Sequence, residues 1–399
     1  MERKIAERVG DFVERSIENH IQNKGLEPPV LGEDMEDGVW YKAPLEDCVS
    51  GDGSEYYTYV SKGKSNDLCI ILSGGGVAWN EYTAARPVTG AKVAAGLPNF
   101  YWNNLRPFTQ IMNINIGITD IKNQSNPFGD WSFVVVTYAT GDFHVGDNVF
   151  PYTAEDGSED VLHFNGYRNF RETMNLAKRL FPDPDRILVA GNSAGAFAVP
   201  ALAGEIYEDY YRDCKDITLF SDSGLLLFSD WRKTAEEVWH AKQSICEPIH
   251  TDNLTIDWYE ALYRKYGDTF RYLYGSSTRD YLLSAYYNDI VKKVYKTDKE
   301  AQQIFYEQLK VMVRQLMDIN DRFRFYIFDW PMLPAAVGKG GTVHTALKEI
   351  TFLNVKQDGK TMAGWLIDQI NGDLYSIGMG LLEKPQQDKA RLGAGALPV

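Results

Sequence analysis

A serine flanked by glycines stands at Gly191, Asn192, Ser193, Ala194, Gly195, a G-x-S-x-G pattern directly after the apolar run Ile187 to Ala190. Those residue types in that order suit one chemistry. A strand that turns sharply into a helix holds the serine in a strained backbone, and the glycines let neighbouring chain pass without a side-chain clash. The hydroxyl then projects from the C-terminal edge of a sheet, where it can attack a carbonyl carbon. The competing reading is an ordinary glycine-flanked turn. Pro200, inside the helix that should follow, is expected to bend it or shorten its first segment.

A neutral hydroxyl is a weak nucleophile, so a histidine must take its proton and a carboxylate must hold that histidine in the right tautomer. Six histidines compete: His20, His144, His163, His240, His250 and His344. In hydrolases built this way the chain order is serine, acid, histidine, which leaves the last three. His344 sits in a glycine-softened loop after Gly340 and Gly341, beyond the expected strand Phe323 to Trp330. That is where the base belongs. His240 falls in a charged helical stretch and His250 in a loop after Pro248, so both are weaker rivals.

Two acids qualify. Asp280 follows the expected strand Arg271 to Gly275, and Asp222 ends the expected strand Ile217 to Phe220. The acid of such hydrolases comes from the later strand, which favours Asp280, with Asp222 as the alternative. A tetrahedral intermediate also needs N–H donors aimed at its oxyanion. Ala194, just after the nucleophile, is one expected donor, and Gly75 and Gly76, in the loop after the strand Leu68 to Leu72, are the others. Phosphate binding by this glycine run is disfavoured, because Trp79 occupies the third glycine position of G-x-G-x-x-G.

Positioning these groups requires buried parallel strands. Leu68 to Leu72, Phe133 to Tyr138, Ile187 to Ala190 and Ile217 to Phe220 are short apolar runs that end in Gly, Ser, Asp or Thr. Between the second and third lies a helix with Tyr167, Phe170, Met174, Ala177 and Phe181 on one face, stopped at Pro182. Strand, helix, strand is the repeating unit. It predicts an α/β fold with a doubly wound, mostly parallel sheet and helices on both faces, in a single domain over 1–399. Residues 231–321 carry stronger helix signals and are expected to form an insertion or lid. Met362, Leu366 and Ile370 mark a late helix, and residues 384–399 a loose tail.

Composition narrows the partners. The chain has 399 residues, 41 basic and 55 acidic, for a net charge of −14. That balance repels nucleic acid and anionic membranes and leaves a small or soluble partner. Residues 1–25 are charged and space Ile5, Val9, Phe12 and Ile17 as an amphipathic helix does, unlike a signal peptide. No apolar run reaches the length of a membrane span. Cys48, Cys69, Cys214 and Cys246 form no CxxC pair, so neither zinc nor a disulfide framework is indicated. A cytoplasmic protein is expected, with secretion the alternative should a leader precede the chain.

The ordered set as a whole resembles the pectin acetylesterase and Notum family. It comprises Gly74 to Gly76 with Trp79, then Asn126, Pro127, Phe128 and Trp131, then Gly141, Asp142, Phe143, Gly146 and Asp147. Asn165 to Arg168, the elbow at Ser193, and Asp222 with Gly224 continue the match. Asp280 and His344 stand where the family places its triad acid and histidine. The resemblance implies an α/β-hydrolase-like serine esterase that needs no metal or cofactor. Its expected reaction is removal of acetyl groups from a carbohydrate, on a small or oligosaccharide ester. A lipid deacylase or other acyl hydrolase with the same triad is the first alternative, and a non-catalytic carbohydrate-binding protein the second. Trp79, Phe143, His144 and Asp147 are the expected pocket walls, or else core aromatics and turn residues. Asn80 follows Trp79 where secreted members carry cysteine, and Ala196 stands where many have glycine. These departures bear on pocket shape and substrate.

Overall fold

Ten of the chain's apolar or alternating runs become the strands that frame the molecule: β1 (Trp40–Val49), β2 (Glu55–Ser61), β3 (Asp67–Leu72), β4 (Ser132–Val136), β5 (Asn148–Thr153), β6 (Glu159–Phe164), β7 (Arg186–Asn192), β8 (Ile217–Asp222), β9 (Phe270–Ser277) and β10 (Arg324–Phe328). This computed structural model describes residues 26–332, 338 and 340–383, with scattered positions among 10–24. The helix expected over 1–25 falls largely, and the tail over 384–399 wholly, outside the described residues.

Eight strands form one sheet in the order β1, β2, β4, β3, β7, β8, β9, β10. From β4 to β10 every neighbour is parallel. β1 and β2 add an antiparallel edge, with a register shift after Pro44, a residue that edge strands tolerate. That edge was not expected, because its polar, alternating sequence carries a weaker signal than a continuous apolar run. β5 and β6 form a separate hairpin.

Each parallel strand feeds two cores, because successive side chains point to opposite faces. Leu68, Ile70 and Leu72 enter one core with Val134, Val136, Ile187 and Val189. Cys69 and Ile71 enter the other with Phe133, Val135, Leu188 and Ala190. The longer helices are α1 (Gly166–Leu180), α2 (Ala194–Glu205), α3 (Leu254–Tyr266), α4 (Tyr281–Lys292), α5 (Lys299–Ile319) and α6 (Met362–Ile370). Phe170, Met174 and Ala177 of α1 and Phe305, Leu309, Met312 and Leu316 of α5 fill the first core. Met362, Trp365, Leu366 and Ile370 of α6 fill the second. This is the doubly wound, mostly parallel architecture of an α/β-hydrolase-like fold.

Two local outcomes matter for the site. Pro200 lies inside α2, which continues through it. Its missing N–H would have bonded the carbonyl of Ala196, and Ser221 Oγ donates to that oxygen instead at 2.7 Å. Within residues 231–321, β9 joins the main sheet between β8 and β10, with α3, α4 and most of α5 around it. No helix among the described residues is long and apolar enough to cross a membrane. All four cysteines are buried free thiols.

Candidate active site

The C-terminal ends of the parallel strands share one edge of the sheet, and the loops leaving them build a single cleft. β7 stops at Asn192 and α2 starts at Ala194, so Ser193 alone makes the turn, with φ 53° and ψ −121°. That backbone is strained for any residue with a Cβ. The flanking glycines are required by close approach. A Cβ on Gly195 would lie 1.8 Å from the carbonyl oxygen of Leu72, and one on Gly191 2.1 Å from that of Gly195. Ser193 N–H donates to the carbonyl of Asp222 at 2.9 Å, which ties the elbow to β8.

His344 reaches this serine from the far side of the cleft. Its Nε2 lies 2.7 Å from Ser193 Oγ, and its Nδ1 lies 2.6 Å from Asp280 Oδ2. Asp280 caps α4 with its other oxygen, accepting the N–H groups of Leu282 and Leu283 at 2.9 Å each. One carboxylate thus serves a helix N-terminus and a histidine at once. The loop that carries His344 docks beside it through backbone bonds, Thr342 N–H to Arg279 at 2.8 Å and Tyr281 N–H to Thr342 at 3.1 Å. Burial disfavours the charged imidazole, but the adjacent Asp280 carboxylate outweighs it and holds the His344 pKa above the ordinary histidine value.

Asp222, the alternative acid, is fully buried and faces elsewhere. Its Oδ2 accepts the N–H groups of Ala346 and Leu347 at 2.7 Å each, and its Oδ1 accepts from Ser223 Oγ at 3.0 Å. It grips the backbone beyond His344 rather than the ring. Burial raises its pKa, and those three donors oppose the rise. His240 and His250 stand apart from Ser193; His250 instead lies beside Asp257, 3.2 Å away.

The glycine loop forms the opposite wall. Gly76 has φ 82°, and a Cβ there would strike the carbonyl oxygen of Phe100 at 1.9 Å, so only glycine fits. Trp102 N–H donates to the Gly75 carbonyl at 2.9 Å and Tyr138 Oη to that of Gly76 at 3.0 Å. With both carbonyls held, the loop's orientation is set. Among the described residues, the N–H groups of Gly75, Gly76 and Ala194 meet no acceptor. Gly75 and Gly76 line the cleft together with Ser193 and His344, in a cavity of about 440 Å³.

The four expected wall residues lie elsewhere. Trp79 is buried behind the wall, packed on Phe100 and Tyr286. Phe143 stacks on Phe197 at 4.3 Å inside the core. His144 is buried, its Nε2 donating to the Ser73 carbonyl at 2.9 Å, and burial pushes its pKa down to about 4, so it stays neutral. Asp147 is exposed, and its N–H donates to the carbonyl of Trp239 at 2.8 Å. All four follow glycine-rich turns that place aromatic and polar side chains inward, against the core, or out to solvent. The wall is built instead from residues the sequence reading passed over, among them Tyr138, Trp102, Tyr286, Asn113 and Lys348. Only Tyr138 had a signal, as the end of an expected strand.

The family profile of the pectinacetylesterases matches residues 41–251, more than half of the chain. The chain belongs to the pectinacetylesterase family. The matched span contains the glycine loop and Ser193 but ends before Asp280 and His344, which the fold alone brings back to the pectinacetylesterase elbow. Among solved structures, the Wnt deacylase Notum from Drosophila superposes with a TM-score of 0.55 at 13% identity, covering 84% of this chain and 94% of that one. That likeness establishes the α/β-hydrolase-like fold across most of the molecule. No curated protein sequence matches the chain. Among the described residues, no group of three or more His, Cys, Asp and Glu side chains is placed to hold a metal ion.

Proposed function

We propose that this pectinacetylesterase-family chain is a serine carboxyl-ester hydrolase that removes acetyl groups from a carbohydrate through an acyl-enzyme on Ser193. The observation that carries the reading is the continuous hydrogen-bonded series Ser193, His344, Asp280, with links of 2.7 and 2.6 Å. In this scheme Ser193 Oγ attacks the ester carbonyl while His344 Nε2 takes its proton, and Asp280 stabilises the imidazolium. The N–H groups of Gly75, Gly76 and Ala194 receive the oxyanion. His344 then returns the proton to the departing sugar hydroxyl, and the same base activates water to release acetate. Aromatic faces in the cleft, Trp102, Tyr138 and Tyr286, suit a sugar ring.

A second reading, a longer acyl group, is favoured by one observation. Val88, Val93, Ile111, Met112 and Ile116 line the same cleft, whose volume of about 440 Å³ exceeds the needs of an acetyl group. The superposed Notum, a Wnt deacylase, agrees with either acyl length.

The test is hydrolysis of p-nitrophenyl esters from acetate to dodecanoate, beside an acetylated oligosaccharide, by wild type and Ser193→Ala. Turnover that peaks at acetate and vanishes in the variant supports the first reading. A peak at medium or long chains moves the assignment to a lipid deacylase. Turnover no higher than background in both proteins would leave a carbohydrate-binding protein on a hydrolase fold.

A further inference from the structure

A lysine is buried in the wall of this cleft, in a place where the proposed chemistry has no use for it. Lys348 is 4% exposed, and its Nζ donates to Ser73 Oγ at 3.0 Å and to Asn113 Oδ1 at 3.0 Å. Both hydrogen-bond partners are neutral, and the Glu349 carboxylate acts on it through charge alone. An ammonium taken out of water and hydrogen-bonded to neutral groups is destabilising, so its retention points to a role other than stability.

Its two ends belong to the two halves of the site. On one side Lys348 follows His344 in the segment whose N–H groups at Ala346 and Leu347 are held by Asp222. The carbonyl of Leu347 in turn accepts the N–H of Ile118 at 2.9 Å. On the other side Ser73 opens the glycine loop. Its N–H donates to Val136 at 3.0 Å, its carbonyl accepts from His144, and its hydroxyl donates to Asn113 at 2.9 Å while accepting from Lys348. Lys348 is thus a direct side-chain link between the loop of the base and the loop of the oxyanion donors.

We propose that Lys348 is a positioning residue that sets the distance between His344 and the N–H groups of Gly75 and Gly76 by clamping Ser73 and Asn113. The inference rests on the esterase reading above. One buried Nζ that donates to two acceptors holds both at once, and while it is charged those bonds are stronger than neutral ones. A base and an oxyanion pocket on separate loops must stay in register to within a fraction of an ångström for both to act on one tetrahedral centre. The clamp acts on the transition state and leaves ground-state binding to the cleft walls, so its loss falls on kcat rather than KM.

The test compares wild type, Lys348→Met, Ser73→Ala and Ser193→Ala on p-nitrophenyl acetate, with kcat expressed per serine titrated by a fluorophosphonate probe. Lys348→Met keeps the Ser73 to Asn113 bond and the side-chain volume, so folding should survive. The expected result is a kcat lowered about 30-fold per titrated site with KM changed less than about threefold. A residue that served the fold alone would lower the titratable fraction and leave kcat per site alone. A kcat per site within about threefold of wild type therefore overturns the clamp. Should Lys348→Met fail to fold, Ser73→Ala takes its place, since it keeps the lysine and removes one partner: kcat down about fivefold supports the inference, and an unchanged kcat overturns it. If Ser193→Ala still turns over, the esterase reading itself has failed and takes the clamp with it. A silent Ser193→Ala beside an unaltered Lys348→Met removes the clamp alone.

Discussion

Ser223 Oγ donates to the backbone carbonyl of His344 at 2.5 Å, so the proposed base is held by its main chain as well as by its ring. The same proton is shared with Asp222 Oδ1, 3.0 Å from Ser223 Oγ, and the other oxygen of Asp222 takes the N–H groups of Ala346 and Leu347. The two carboxylates that competed as the acid therefore have separate tasks, one at the ring and one at the peptide backbone that presents it.

Asymmetric losses follow for the two acids. Asp280→Asn should lower kcat by about 10³–10⁴, because an amide cannot stabilise the imidazolium and favours the wrong tautomer. Asp222→Asn should lower kcat only about tenfold, with a loss of stability of about 1–3 kcal/mol as one accepting oxygen becomes a donor facing N–H groups. Steady-state kinetics beside urea melts check the pair. Equal losses of kcat would remove the division of roles.

Relief of strain should separate stability from activity at the elbow. Ser193→Gly places a residue without a Cβ at φ 53° and ψ −121°, which should stabilise the fold by about 1 kcal/mol while abolishing hydrolysis. The melting temperature against wild type reports it, and a lower one contradicts the strain assigned to this turn.

The glycine loop should tolerate no side chain at its second donor. Gly76→Ala forces a Cβ toward the Phe100 carbonyl in a left-handed backbone, and should destabilise the protein by more than about 2 kcal/mol. Denaturant unfolding measures this directly, and a neutral effect would mean the loop can move away from Phe100.

Acid should silence the proposed hydrolysis through His344. A base must be unprotonated, and the Asp280 carboxylate holds this one above the ordinary 6.5, so kcat/KM should climb with pH through a value above 6.5. The sign of the stability effect is opposite. A histidine with a raised folded pKa contributes stability that is complete below its unfolded value and is lost as pH rises through the folded one. Asp280→Asn should move the kinetic limb to lower pH, and the gap between its melting temperature and that of wild type should narrow as pH rises. An acid limb left in place by Asp280→Asn contradicts the pairing.

Lys348 should show the reverse of a stabilising contact. Burial pushes its pKa from 10.5 down to about 7, so between those values the unfolded chain binds more protons than the folded one and stability rises with pH. Lys348→Met should remove that slope and raise stability at pH 6 by about 1–4 kcal/mol. Melts from pH 6 to 10 distinguish the outcomes, and a variant less stable than wild type at pH 6 argues that the two hydrogen bonds to Ser73 and Asn113 outweigh burial of the charge.

Much of the frame was legible because its constraints are local. An apolar run too short for a helix and closed by Gly or Ser reads as a buried parallel strand wherever it sits. The elbow likewise demands glycine at Gly191 and Gly195 for reasons contained in five consecutive residues. The antiparallel edge was harder to see, since β1 mixes polar with apolar residues and β2 buries tyrosines, Thr58 and Ser61 instead of a run of aliphatic side chains.

By itself the sequence determined the serine at its turn, the order of serine, acid and histidine along the chain, and the alternating elements able to carry them. Which carboxylate meets the imidazole was decided only by tertiary structure, because Asp222 and Asp280 leave adjacent strands at the same sheet edge and differ in the direction they face. The same holds for the cleft walls and for Lys348. Whether an aromatic ring lines a cavity or fills a core, and whether a lysine meets water or Ser73, depends on partners tens to hundreds of residues away. Spacing along the chain constrains neighbours within a few residues, whereas contacts of that range are set by how the sheet and its loops close.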